Sequence, residues 1–91
     1  MDKTTKLSLL KANLQKYSNS DDTLLTNLLK QAEHLMKRRG IKDDGTYDYQ
    51  MAIIDYAAFL FRRRGVPDMI MPMHLKEELN NILFSQKSKL S

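Results

Sequence analysis

The run from Met51 to Phe61, Met-Ala-Ile-Ile-Asp-Tyr-Ala-Ala-Phe-Leu-Phe, constrains this chain more than any other stretch. Every residue in it except Asp55 has a largely apolar body. At helical spacing Met51, Ile54, Ala58 and Phe61 fall on one line, and Ala52, Tyr56 and Phe59 on a second. Ile53, Ala57 and Leu60 fill a third. A helix apolar on all sides cannot keep half its surface in water. Burying one large apolar side chain is worth about 1.5–3 kcal/mol, so four left wet would forgo about 6–12 kcal/mol. That approaches the whole stability of a small domain, at about 0.05–0.15 kcal/mol per residue. The helix is therefore expected to be wrapped by the other helices, by neighbouring subunits, or by both. The run holds more apolar surface than a lone small bundle is expected to hide. It is too short for a membrane span, which takes about 20 apolar residues.

The rest of the composition agrees with a small helical domain. With 91 residues the chain makes one domain, and at this size oligomerisation would help a modest core. There are no cysteines, which removes disulfide scaffolds, thiolate zinc sites and cysteine nucleophiles together. Three glycines, two prolines and no alternating apolar–polar run give an all-α class. Met1 to Lys6 leads into an amphipathic pattern and not a signal peptide, so a soluble product made inside the cell is expected. The net charge of +4 permits contact with nucleic acid or an anionic surface without demanding it.

Four helices are expected in order. Thr4 or Thr5 caps the first, with a stripe of Leu7, Leu10, Leu14 and Tyr17. Ser18-Asn19-Ser20 breaks it, and Ser20 or Asp21 caps the second. The second helix carries Leu24, Leu28, Ala32 and Leu35, thickened by Leu25, Leu29 and Met36. It ends at Lys37-Arg38-Arg39, with Gly40 at the left-handed C′ position. Those three cations either oppose the helix dipole in solvent or form a phosphate-binding patch. A turn around Asp43-Asp44-Gly45 leads to Thr46 as the cap of the third, long central helix. That helix closes with Arg62-Arg63-Arg64, Gly65 at C′ and Pro67 as a stop. Met69, Ile70 and Met71 are expected to cover the end of the bundle, and Pro72 to open a fourth helix with Leu75, Leu79, Ile82 and Leu83 or Gln86 inward. The single domain then spans residues 1–85, and 86–91 form a short basic tail.

A catalytic set is missing. His34 and His74 lie on different helices without a His-x-x-x-His or cysteine partner, so no metal is expected. Asp43, Asp44 and Asp48 lack the ligand ladder of a helix–loop–helix calcium site. No Gly-x-Ser-x-Gly elbow or glycine-rich phosphate loop is present, and neither an enzyme nor a cofactor is expected. Asp55, the one ionisable residue in the apolar run, has two readings. It lies on a narrow wet line with Asp48 and Gln50 or bonds a tyrosine; or it meets an arginine across a subunit boundary.

Asp-Asp-x-Leu-Leu-x-x-Leu-Leu-x-x-Ala from Asp21, preceded by a short leucine helix and a polar turn, resembles the head–tail connector (adaptor) proteins of long-tailed bacteriophages. Tyr49 to Gly65 is similar to that family's long central helix, and Met71-Pro72 leading to Leu79–Ser85 to its closing segment. The likeness runs from about Leu7 to Ser85 and lies in order and spacing, not in one motif. It implies a small helical structural protein, also described as a DNA-packaging or head-completion protein, found at the head–tail interface of the virion after synthesis in the host cytoplasm. It implies a ring of about twelve copies, joined by a contact between two different patches. The ring would dock under the portal, meet a stopper or tail-completion protein below, and pass DNA without sequence readout. On this likeness Asp55, Tyr56, Phe59, Phe61, Arg62, Arg63 and Arg64 are the subunit-interface candidates. Lys37, Arg38, Arg39, Phe84, Lys87 and Lys89 are the candidates for portal or channel contact. The stretch Val66 to Pro72 is shorter than the insertion many members carry there.

The alternative is a small basic DNA-binding regulator gripping phosphate through Arg62 to Arg64. It lacks a turn-plus-recognition-helix pattern, since the third helix is too apolar to lie in a groove of DNA. A small helical adaptor for another cell protein is a third reading.

Overall fold

A computed structural model describes residues 2–14 and 22–90, except that the side chains of Lys89 and Leu90 are not among those described. All four expected helices are present, and no strand occurs among the described residues. They are α1 (Lys3–Leu14), α2 (Asp22–Arg38), α3 (Tyr47–Gly65) and α4 (Met73–Leu90). Tyr17, the Ser18-to-Ser20 break and the proposed caps Ser20 and Asp21 lie outside the described residues.

Helix α1 starts earlier than Thr4 or Thr5 as cap would allow. The Asp2 carboxylate accepts from the Thr5 backbone N–H at 2.7 Å, so Asp2 is the cap. That bond to an orphan helix donor holds the Asp2 carboxyl below its ordinary value. Leu10 and Leu14 are buried, and Lys6–Glu33 (3.0 Å) and Lys11–Asp22 (2.6 Å) tie α1 to α2 along the surface.

Helix α2 buries Leu25, Leu28, Leu29, Ala32 and Met36, while Leu24 and Leu35 are only half-buried. Its end is as the sequence predicts. Gly40 has φ +92°, its N–H donates to the Lys37 carbonyl, and the Ile41 N–H reaches back to Met36, each at 3.0 Å. This is the paired closure in which glycine takes the left-handed position and the next apolar residue packs inward. Ile41 is accordingly buried. Thr46 caps α3 as expected, accepting from the Tyr49 N–H at 3.1 Å.

Helix α3 is the hub and touches each of the other three. Ala52, Ile53, Ile54, Ala57 and Ala58 are at most 1% exposed, and Tyr56, Phe59 and Leu60 are also buried. Only Met51, Asp55 and Phe61 in the run are half-buried. A single copy therefore encloses the segment, and the expectation that its apolar surplus needs a neighbouring subunit is not met. The alanines explain the difference: at Ala52, Ala57 and Ala58 small side chains let neighbouring helices approach, so a short chain covers all sides of one helix.

Two punctuation marks after α3 differ from expectation. Gly65 is the last helical residue and is not left-handed; the chain turns at Val66, with φ −136° and ψ 82°. Pro67 follows, and a residue before proline is driven out of the helical region. Pro72 precedes α4 and does not open it: its carbonyl accepts from the Leu75 and Lys76 N–H groups at 3.1 Å. Met69 and Met71 pack against the core, but Ile70 is 80% exposed.

Helix α4 buries Leu75, Leu79 and Ile82 and does not stop near Ser85. Residues expected as a loose tail form its last turns through Leu90. The anchor is Gln86. Its Nε2 donates to the Lys42 carbonyl (2.6 Å) and to Asp44 (3.2 Å), while its Oε1 accepts from the Lys42 N–H (2.9 Å). No glycine or proline interrupts the segment after it.

Candidate functional site

Two of the charged grooves among the described residues bear on the candidate residues. The first is a groove of about 580 Å³ between the start of α3 and the outer side of α4. Asp44, Asp48 and Asp55 line one wall, and His74, Glu77 and Glu78 the other. Periodicity explains the grouping: Asp48 and Asp55 are seven residues apart on α3, hence on one face, and His74 and Glu78 are one turn apart on α4. Among the described residues, no lysine or arginine lines this groove.

Glu78 carries the clearest electrostatic signature. Its carboxyl is pushed up to about 7, first by burial, then by the negative charge of Asp55 and a hydrogen bond to it, and by Asp48. Two carboxyls that face each other and lose water favour keeping one proton between them. Asp55 receives a further hydrogen bond, from Asn13 Nδ2 of α1 at 3.4 Å. Asn13 in turn accepts from Arg62 at its side-chain oxygen (3.1 Å) and at its carbonyl (3.4 Å). Among the described residues of one copy, then, Asp55 is linked to an arginine through the Asn13 amide and stands beside Glu78. The wet line drawn through Gln50 is also wrong, because Gln50 is 8% exposed and belongs to the core.

The second place is the far end of α3. Arg63 and Arg64 are exposed and, with Pro67, edge a groove of about 670 Å³ floored by Leu24, Leu28 and Leu60. Val66, Ile70 and Met73 stand exposed in and beside the connector that follows.

The remaining sequence candidates separate. Tyr56 and Phe59 lie in the core of the single copy with their rings 6.3 Å apart, and offer a neighbour almost no surface. Phe61 is half-buried against the same core. Arg39 lies over the Tyr56 ring at 6.0 Å and reaches the Met71 sulfur at 3.8 Å, so it holds the connector to α3. Lys37 and Arg38 are exposed at the end of α2. The Gln86 clamp brings Lys87 to that same end of the bundle. Phe84 projects from α4 with 65% exposure, and Lys89 lies in its last turn.

Glu78, Asn13 and Gln86 were not singled out by their chemistry in the sequence. The one local signal was Glu78 sitting between Leu75 and Ile82, at the margin of the buried stripe of α4. No cluster of three or more metal-ligating residues occurs among the described residues, and no described helix is long and apolar enough to cross a membrane. Compared with protein-family models, with curated proteins and with solved structures, the chain matches none.

Proposed function

We propose that the chain is a head–tail connector of a tailed bacteriophage, a structural protein that assembles as a ring beneath the portal and extends the DNA channel. The order of sequence features from Leu7 to Ser85 supports the reading, and so does the all-α fold of four helices. The observation that carries it furthest is where apolar surface remains once the core has closed. Among the described residues Val66, Ile70, Met73 and Phe84 are all at least half exposed and follow α3, while Tyr47 stands exposed at its start. Val66, Ile70 and Met73 fall within eight residues of one another, and exposed apolar side chains gathered in this way mark contact surfaces more often than scattered ones do. In this reading α3 builds each copy, and the connector and the outer side of α4 join copies to one another and to the portal. The exposed arginines Arg63 and Arg64 supply the polar rim that such contacts carry. DNA in the channel would meet positive charge and no base-reading element.

Light scattering with negative-stain images, on the protein alone and mixed with a portal ring, tests the proposal. Rings or a portal complex are expected. Ile70→Asp and Phe84→Asp alter exposed side chains, so both variants should keep the wild-type circular dichroism while losing association. A monomer without portal affinity would overturn the proposal. If that monomer bound duplex with log K falling about 0.9 per phosphate neutralised per log unit of salt, a DNA-binding regulator would replace it.

A further inference from the structure

We infer that Asp55 and Glu78 share one proton across the seam between α3 and α4, and that this proton controls how firmly α4 is docked. The inference concerns the fold of one copy and stands independently of the connector reading. Its basis is the placement of groups. Asp55 of α3 and Glu78 of α4 line the same groove, with Asp48 of α3 and Asp44 of the preceding loop on the Asp55 side. On α4 itself, His74 and Glu77 share the lining. From α1 the group that reaches Asp55 is the neutral amide of Asn13, which separates it from the guanidinium of Arg62. Among the described residues no cation bonds either carboxyl directly, and a shared proton lets two such carboxyls sit together in one groove.

Helix α4 is the element such a pair can release. Among the helices its packing is chiefly against α3, and its seam with α3 has Leu75, Leu79 and Ile82 on one side of Glu78 and open groove on the other. Burial and Asp55 raise Glu78 to about 7, so the proton stays on the folded protein through the range in which an unfolded glutamate has lost it. Between the ordinary value of 4.5 and about 7, the docked form binds the extra proton. Stability of the seam is thus complete below the lower value and declines as pH rises to the upper one, above which it is level.

The test is carboxyl-carbon NMR of the full chain from pH 4 to 9, together with hydrogen exchange along α4 corrected for intrinsic rates. The Glu78 carbon is expected to titrate near 7. Reading that carbon separates Glu78 from His74 and Glu77. The opening constant of α4 should rise with pH across the same window, by at most about tenfold per unit for one proton. Glu78→Gln keeps a hydrogen-bond donor toward Asp55 at every pH and should make α4 opening independent of pH. Asp55→Asn removes the facing charge, and its amide can donate to an ionised Glu78, so the Glu78 midpoint should fall toward the ordinary range. A wild-type midpoint near 4.5 would overturn the inference. So would α4 opening that ignores pH, or a Glu78→Gln protein that keeps the wild-type pH dependence.

Discussion

Gln50 carries, among the described residues, the buried side-chain oxygen that accepts no hydrogen bond. A buried unsatisfied acceptor costs about 1–3 kcal/mol, more than a methionine of similar length would at the same place. Gln50→Met is therefore expected to stabilise the protein by about 1 kcal/mol, seen as a rise of roughly 4–8 °C in Tm by calorimetry. The opposite sign belongs to Ile54, which is 1% exposed at the centre of α3. Ile54→Ala leaves a cavity that close-packed neighbours fill only in part, and should cost about 2–5 kcal/mol in urea unfolding. Phe59→Asp places a carboxylate among the buried apolar side chains of α3 and should leave the chain unfolded by near-UV circular dichroism. Burial first, and then the negative charges of Asp43, Glu33 and Asp44, push the Tyr49 phenol up to about 12. Its ring should show no phenolate absorbance until the pH lies well above the range in which a solvent tyrosine ionises.

Helix ends show most clearly what could be read in advance. Gly40 and Thr46 follow local chemistry, a left-handed glycine and a hydroxyl cap, and both stand where the sequence puts them. At the end of α3 two local signals compete, and proline's effect on Val66 overrides the expected role of Gly65. The last turns of α4 were not legible, because what orders them is Gln86 gripping Lys42, 44 residues away in sequence. Gln86→Ala should lose that grip and fray the final turns, with faster hydrogen exchange confined to the end of α4 and the Lys42 amide. The α3–α4 groove was illegible for the same reason. Asp55 stood out as an anomaly in its helix, but Glu78 became its neighbour only when α4 packed against α3. Helical periodicity tells which residues share a face and not which two faces meet.

For the whole molecule, the covering of α3 within one copy is more complete than its apolar sequence suggests. Counting apolar side chains treats Ala52, Ala57 and Ala58 as surface to hide, whereas in the fold they are the gaps through which neighbouring helices draw close. The charges are also divided between regions. Carboxylates collect along the α3–α4 groove, and Arg63 and Arg64 edge the opposite end of α3. Enclosure of α3 within one copy has a kinetic corollary. Nothing in the hydrophobic nucleus waits for a second chain, so refolding from denaturant should follow first-order kinetics with a rate constant unchanged by dilution. Collision between finished copies would then be a later, second-order event, and a cell could stockpile the protein as ready-made parts.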